Sequence, residues 1–266
     1  MSSERAARSN TVEDAAKALE EDLLALGRAH LSPVLFRQTE LVVERGRGPY
    51  LYTADGSRYM DFISGIATCN LGHCHPEVVA AARDQAERLV HICFVTAYYE
   101  SAVRLAQKLA EIAPGELDTV FFSNSGAEAV EASVKLARYY TGRPAVIAFR
   151  GAVHGRTLGA TSLTSSSARY RQGYEPLLPS VYHVPYPYCF RCPYGLGDPE
   201  SCDLRCLEEF DVLFAHQVAP SDVAAVVVEP VLGEGGYVPA PRRFLHGLRA
   251  LCDRHEILLV FDEVQT

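Results

Sequence analysis

Leu258-Leu259-Val260-Phe261-Asp262-Glu263-Val264-Gln265-Thr266 is an apolar run that gives way abruptly to two acids. With Ile257 it predicts a short buried strand over 257–261 whose carboxyl end presents Asp262. The same form recurs upstream at 119–122, 145–149, 181–184 and 224–228, each run followed by a turn of small or polar residues. Helical spacing fills the stretches at 79–89, 100–112 and 125–140. Helices alternating with short Val-rich strands predict an α/β fold with a mostly parallel sheet covered on both faces. Ligands of such sheets sit at the carboxyl ends of the strands, so chemistry is expected just after each apolar run.

The 266 residues are 48% hydrophobic and 22% charged, enough to bury a large core and too apolar for a disordered or fibrous chain. A net charge of -8 leaves no basic stripe to neutralise phosphates, which excludes a nucleic-acid partner and points to small molecules. No apolar run approaches the roughly 20 residues that span a bilayer. The opening ten residues are polar, and Glu4, Glu13, Asp14, Glu20 and Glu21 do not suit a transit peptide, so a cytoplasmic protein is expected.

Ahead of the alternating region, Ala15, Leu19, Leu23 and Leu26 predict an amphipathic helix over 12–29 that packs on a partner surface. Residues 41–63 predict short strands about the turn Ala54-Asp55-Gly56-Ser57, with Tyr50, Tyr52, Tyr59 and Phe62 as an aromatic body. Residues 1–75 are therefore expected to be a helix and a small-domain segment, and 76–266 a partial large domain.

Three further segments carry candidate chemistry. Ser123-Asn124-Ser125-Gly126-Ala127-Glu128-Ala129 opens a helix behind a strand. Its small residues and helix N-terminus suit a phosphate, and Ser125 with Glu128 equally suits an ordinary capping box. Arg150-Gly151-Ala152-Val153-His154-Gly155-Arg156-Thr157 places a His and an Arg on a Gly-punctuated loop. Glu229-Pro230-Val231-Leu232-Gly233-Glu234-Gly235-Gly236 puts two acids on a flexible turn, where a merely solvated turn is the bland alternative.

These segments in this order, with Gly65-Ile66-Ala67 and Gly72-His73-Cys74-His75-Pro76 upstream, resemble the class III (subgroup II) aminotransferases dependent on pyridoxal 5'-phosphate (PLP), of the 4-aminobutyrate, ornithine and acetylornithine type. The resemblance runs from about residue 40 to Thr266 and implies PLP fold type I. It implies that Ser125, Gly126 and Ala127 cup the cofactor phosphate, and that Asp262 pairs with the pyridinium nitrogen. Val153 and His154 would lie at the ring, Val264 on one ring face, and Gln265 on the ring hydroxyl. Glu229 would support the ring-oxygen side. Glu234 would mask a later Arg for one substrate and release it for another, and Ile66 would wall the substrate. The implied reaction moves an amino group from an ω-amino or amino acid donor to 2-oxoglutarate, in a homodimer. A class III racemase and a non-catalytic PLP-binding remnant are the alternatives.

Two departures from the family pattern follow from the residues. Many relatives carry an aromatic residue where Val153 stands, and its loss forgoes stacking of about 0.5–1.5 kcal/mol. The only lysines are Lys17, Lys108 and Lys135, and none follows Asp262, where the family places its Schiff-base lysine. Lys135 lies four residues after Glu131, a spacing that predicts an exposed ion pair. The sequence is thus expected to be a C-terminally truncated enzyme, inactive alone.

Cysteine supplies the remaining motif. Cys189, Cys192, Cys202 and Cys206 form two close pairs within a Pro- and Tyr-rich insert, a pattern open to a structural zinc site, to disulfides or to free thiols. Cys69, Cys74, Cys93 and Cys252 are scattered and expected to be buried small apolar residues.

Overall fold

The computed structural model describes residues 2–195, 198, 200 and 202–266, with the backbone alone for 2–13. It divides into two compact units, Met1–Lys108 and Leu109–Thr266. Among the described residues no helix is long and apolar enough to cross a membrane.

In the first unit, helix α1 (Ser2–His30) exceeds its expected span, and Leu19, Leu23 and Leu26 on it are exposed. Strands β1 (Arg45–Arg47), β2 (Tyr50–Tyr52) and β3 (Arg58–Met60) form an antiparallel sheet. Asp55 builds the turn between β2 and β3, accepting from the Ser57 amide at 2.9 Å and the Thr53 hydroxyl at 2.5 Å. These bonds favour the ionised carboxylate and hold its pKa below the ordinary value. The expected aromatic body is not a core. Tyr59 and Phe62 are exposed, while Tyr52 and Tyr50 are half-buried with the guanidinium groups of Arg45 and Arg58 at 3.8 and 4.5 Å from their ring centroids. A sheet of three-residue strands offers too little area to enclose four rings, so two are covered by cations instead.

Helix α2 (Ser64–Ala67) follows, and Ile66 within it has a φ of 59°. A β-branched residue in the left-handed region is strained. Neighbouring bonds hold the turn: Asp61 accepts from the amides of Ile63 and Ser64 at 2.9 and 2.8 Å, and Thr68 donates to the Gly65 carbonyl at 2.9 Å. Helix α3 (Pro76–Arg88) begins with proline, which has no amide hydrogen to leave unsatisfied, and α4 (Glu100–Ile112) runs through the division between the units.

The second unit is a three-layer α/β structure. Its sheet contains β4 (Ala145–Phe149), β5 (Val181–Val184), β6 (Val223–Val228) and β9 (Leu258–Phe261), in the order β5-β4-β6-β9 and parallel throughout. The hairpin of β7 (Val231–Leu232) and β8 (Val238–Pro239) stands apart from it. Alternate side chains on a strand point to opposite faces, so β4 and β6 feed two cores at once. On one face Val146, Ala148 and Val227 meet α5 (Gly126–Thr141) and α6 (Leu158–Leu163) through Val130, Val134, Ala160 and Leu163. On the other, Ile147, Phe149, Val226 and Val228 meet α7 (Arg205–His216) and α8 (Arg242–His255) through Phe210, Phe244 and Leu248. Phe149 is fully buried with ring centroids of Phe244, Tyr186 and Phe210 at 5.9, 5.9 and 6.1 Å. Burial of such a side chain contributes about 1.5–3 kcal/mol.

The strand expected at 119–122 is absent: the segment carries no ladder, and Phe121 and Phe122 are exposed. A strand exists only by pairing, and this segment pairs with none of the described strands.

Candidate active site

Parallel strands ending level place their following residues side by side. Val228 is the register partner of Phe261, and the Asp262 amide donates to the Val228 carbonyl at 2.8 Å, so Glu229 and Asp262 emerge together. His154, on the loop behind β4, reaches across to them: its Nδ1 lies 2.7 Å from Asp262 Oδ2. The His154 side chain is fully buried and that of Asp262 is 6% exposed. The His154 amide donates to Thr164 Oγ1 at 2.9 Å, and that hydroxyl donates in turn to the carbonyls of Gly155 and Ala160. His154 Nε2 is buried without a partner among the described residues.

Glu229 staples the β4 loop to the acidic turn, accepting from the Val153 and Gly233 amides at 3.1 Å each. Desolvation raises its pKa against the pull of those two bonds. The Gly233 position is tight. A Cβ there would fall 2.0 Å from Gln265 Oε1, so a larger residue would push the Gln265 amide out of this pose, in which it donates to Tyr237 Oη at 3.0 Å.

Helix α5 begins at the same edge. Ser125 is its N-cap, accepting from the Glu128 amide at 3.2 Å, while Glu128 accepts from the Asn124 amide at 2.6 Å. The capping geometry is therefore real, and it leaves the amides of Gly126 and Ala127 at the open end of the helix. Two close approaches seat this end against the other segments. A Cβ on Gly126 would lie 2.8 Å from Val264 Cγ2, and one on Gly155, at φ +120°, would lie 2.6 Å from the Ala127 Cβ.

Ser125, Gly126, Ala127, Val153, His154, Glu229, Asp262, Val264 and Gln265 are thus brought together by hydrogen bonds and close packing. Glu234 stands on the same turn, held by Tyr170 Oη at 3.1 Å and Ser166 Oγ at 3.5 Å. Ile66 belongs to the first unit, where it is exposed. The arrangement suits a flat, anionic cofactor. A helix end with free amides favours a phosphate, and each Asp262 oxygen retains a lone pair after serving His154 and the Val264 amide.

Sequence patterns did not reveal Glu131. Rather than forming the expected pair with Lys135, its Oε1 accepts from Thr157 Oγ1, the Gly159 amide and the Ala160 amide at 2.6, 3.0 and 3.3 Å. It caps α6 from α5, joining the two helices that flank the loop. Thr164 and Tyr170 were likewise missed, since nothing local marks a partner far along the chain.

The zinc reading is not supported. Cys189, Cys192, Cys202 and Cys206 line one cavity, yet no group of three or more His, Cys, Asp or Glu among the described residues is arranged to hold a metal ion. Among the described residues no disulfide joins any two cysteines, which sets that reading aside as well. Burial pushes the Cys206 thiol up to about 12 and raises that of Cys189, so both are protonated in the metal-free cavity. Of the scattered four, Cys252 is buried as expected, while Cys74 and Cys93 are exposed.

Residues 33–266 match the model of the family described as aminotransferase class-III. A probable 4-aminobutyrate aminotransferase from Bacillus subtilis is 45% identical over 84% of this chain and 51% of its own length. An alanine/serine racemase from Pyrococcus horikoshii is 40% identical over 85% of this chain and 48% of its own length. The taurine:2-oxoglutarate aminotransferase of Bifidobacterium kashiwanohense, solved with PLP and glutamate, superposes with a TM-score of 0.83 at 29% identity, covering 91% of this chain and 55% of that one. The chain spans about half the length of the curated relatives it matches.

Proposed function

Because this chain belongs to the class III aminotransferase family and has the α/β architecture of PLP fold type I, we propose that the full-length protein is a PLP-dependent aminotransferase. It would transfer an amino group from a 4-aminobutyrate-like ω-amino or amino acid donor to 2-oxoglutarate. The observation that carries this reading is the buried His154–Asp262 pair beside the open end of α5, with Val264 packed against Gly126 between them.

When bound, PLP supplies an electron-poor ring and an aldehyde that carries the amino group. The amides of Gly126 and Ala127 with the Ser125 hydroxyl would bind its phosphate. Asp262, fixed in orientation by His154, would hold the proton on the ring nitrogen. Val153 and Val264 would exclude water from the ring faces, and Gln265 would hydrogen-bond the ring hydroxyl. Glu229 supports the ring-oxygen side through the Val153 backbone it grips. Glu234, exposed at the mouth of the site, would pair with a cation for one substrate and release it for the next.

Residues 1–75 would contribute a helix and a small-domain segment, with Ile66 on the substrate wall, and 76–266 most of the sheet. A cytoplasmic homodimer is the assembly that fits this family. The resemblance to the alanine/serine racemase favours amino-acid racemisation as the second reading.

The test is to incubate the full-length gene product and PLP with 4-aminobutyrate and 2-oxoglutarate and to follow glutamate. Glutamate formation that requires both substrates supports amino transfer. Inversion of L-alanine or L-serine without any 2-oxo acid, and no glutamate, would replace it with racemisation.

A further inference from the structure

Four successive residues, Ser64, Gly65, Ile66 and Ala67, have φ of 52°, 65°, 59° and 61°, and Thr68 returns to -99°. L residues visit the left-handed region singly, since each non-glycine residue there gives up about tenfold in population. Helix α2 is thus a left-handed turn in which only Gly65 is unstrained. The Ala67 amide closes it on the Ile63 carbonyl at 3.0 Å, and the Thr68 and Cys69 amides close it on the Ser64 carbonyl at 2.9 Å each. Strain of this kind persists only where the surroundings over-determine the backbone.

One carboxylate supplies most of that constraint. Asp61 Oδ1 accepts from the Ile63 and Ser64 amides at 2.9 and 2.8 Å, and its Oδ2 lies 2.7 Å from His73 Nε2. These bonds, led by that of the Ser64 amide, hold the Asp61 pKa below the ordinary value, so the group that grips the turn is ionised. Asp61 and His73 stand on the same base. The Asp61 amide donates to the Pro49 carbonyl at 2.9 Å, and His73 exchanges backbone bonds with Gly48 at 2.8 and 2.9 Å. A Cβ on Gly46 would fall 2.7 Å from His73 Cβ, so His73 packs directly against β1. The side chain that this braced turn presents is Ile66, 68% exposed.

We infer that Asp61, with His73, is a positioning residue that holds the 64–67 turn left-handed and so fixes the place of Ile66 on the substrate wall. The inference rests on the aminotransferase reading for that wall. Without the carboxylate the Ile63 and Ser64 amides lose their acceptor, and the turn relaxes toward the ordinary regions of φ and ψ. Ile66 then leaves its place, which weakens binding of the amino donor and leaves the chemical step alone.

The experiment uses full-length holoenzyme carrying Asp61→Ala, alone and combined with Ala67→Gly or Ile66→Ala, and the milder His73→Gln. Two readouts are taken: amide hydrogen exchange by mass spectrometry over residues 62–70, and kcat and KM for 4-aminobutyrate. Loss of hydrogen bonds to a carboxylate predicts about tenfold faster exchange in that segment for D61A and about threefold for H73Q, with β4 unchanged. The KM should rise by the same factors with kcat within about twofold. Glycine enters the left-handed region freely, so A67G added to D61A should return both exchange and KM to within about threefold of wild type. In the I66A background D61A should still speed exchange yet change KM by no more than about twofold. Unaltered exchange in D61A, no rescue by A67G, a KM rise that persists in I66A, or a fall in kcat with KM unchanged would overturn the inference. Exchange does not need turnover. An enzyme that fails to transaminate but shows the exchange shift and its glycine rescue would refute the function while leaving Asp61 its hold on the turn.

Discussion

Gly155→Ala is the substitution whose cost the structure defines most closely. Gly155 has a φ of +120°, and an added Cβ would fall 2.6 Å from the Ala127 Cβ, 2.9 Å from the Ala127 Cα and 3.1 Å from the Ala160 Cβ. None of these atoms is the tip of a flexible side chain, so relief requires α5 or α6 to move. Left-handed strain of about 1–3 kcal/mol and overpacking of about 1–3 kcal/mol together predict a loss of about 2–6 kcal/mol, a large share of an ordinary domain stability. Gly173→Ala separates the two contributions. That glycine has a φ of +85° with nothing within 4 Å of its Cβ position, so it should lose only about 1–2 kcal/mol. Ala127→Gly placed with Gly155→Ala removes the nearest clash and should recover part of the loss, the Ala127 Cα and Ala160 contacts remaining. Urea denaturation followed by circular dichroism measures all three. Equal losses for G155A and G173A, or a G155A loss under about 0.5 kcal/mol, would refute the claim that this close approach seats α5 against the His154 loop.

Two other expectations concern titration and reactivity. Burial lowers the pKa of His183, whose Nε2 lies 3.1 Å from the Leu163 carbonyl, below its ordinary 6.5. The unfolded chain therefore binds the proton more readily, and stability should rise with pH up to about 6.5 and fall on acidification through that window; His183→Gln should flatten this part of the profile in denaturant titrations at several pH values. Cys93 is exposed, and hydrogen bonding led by the Val95 amide lowers its thiol pKa, whereas burial pushes Cys206 and Cys252 up to about 12. Limiting iodoacetamide at pH 7.5 followed by peptide mass mapping should label Cys93 ahead of Cys206 and Cys252, and the reverse order would contradict these environments.

The sheet was legible because its strands declare themselves locally. The segments at 145–149 and 181–184 appear within the expected bounds, since unbroken apolar runs between polar turns have few alternatives to a strand buried on both faces. The segment at 119–122 has the same composition and forms no strand, because pairing depends on what lies beside it. The site divides similarly. His154, Asp262 and Glu229 were visible as polar residues placed just behind apolar runs. Tyr170, Thr164 and Glu131 were not, since their roles depend on partners 64, 10 and 26 positions away. The four clustered cysteines mark the opposite failure: a strong local spacing that the folded cavity does not turn into a ligand set.

The loop from Arg150 to Thr157 resembles a bridge fixed at both abutments. At one end the Gly151 amide donates to Ser165 Oγ at 3.1 Å, and the Ala152 carbonyl receives two further bonds. At the other, Glu131 grips the start of α6. Side chains along the span can be exchanged while both abutments hold. Its length cannot change, because one added residue must break an abutment. Diversity in this loop is therefore confined to which groups it carries, and a library built to redirect the enzyme should vary its side chains at constant length.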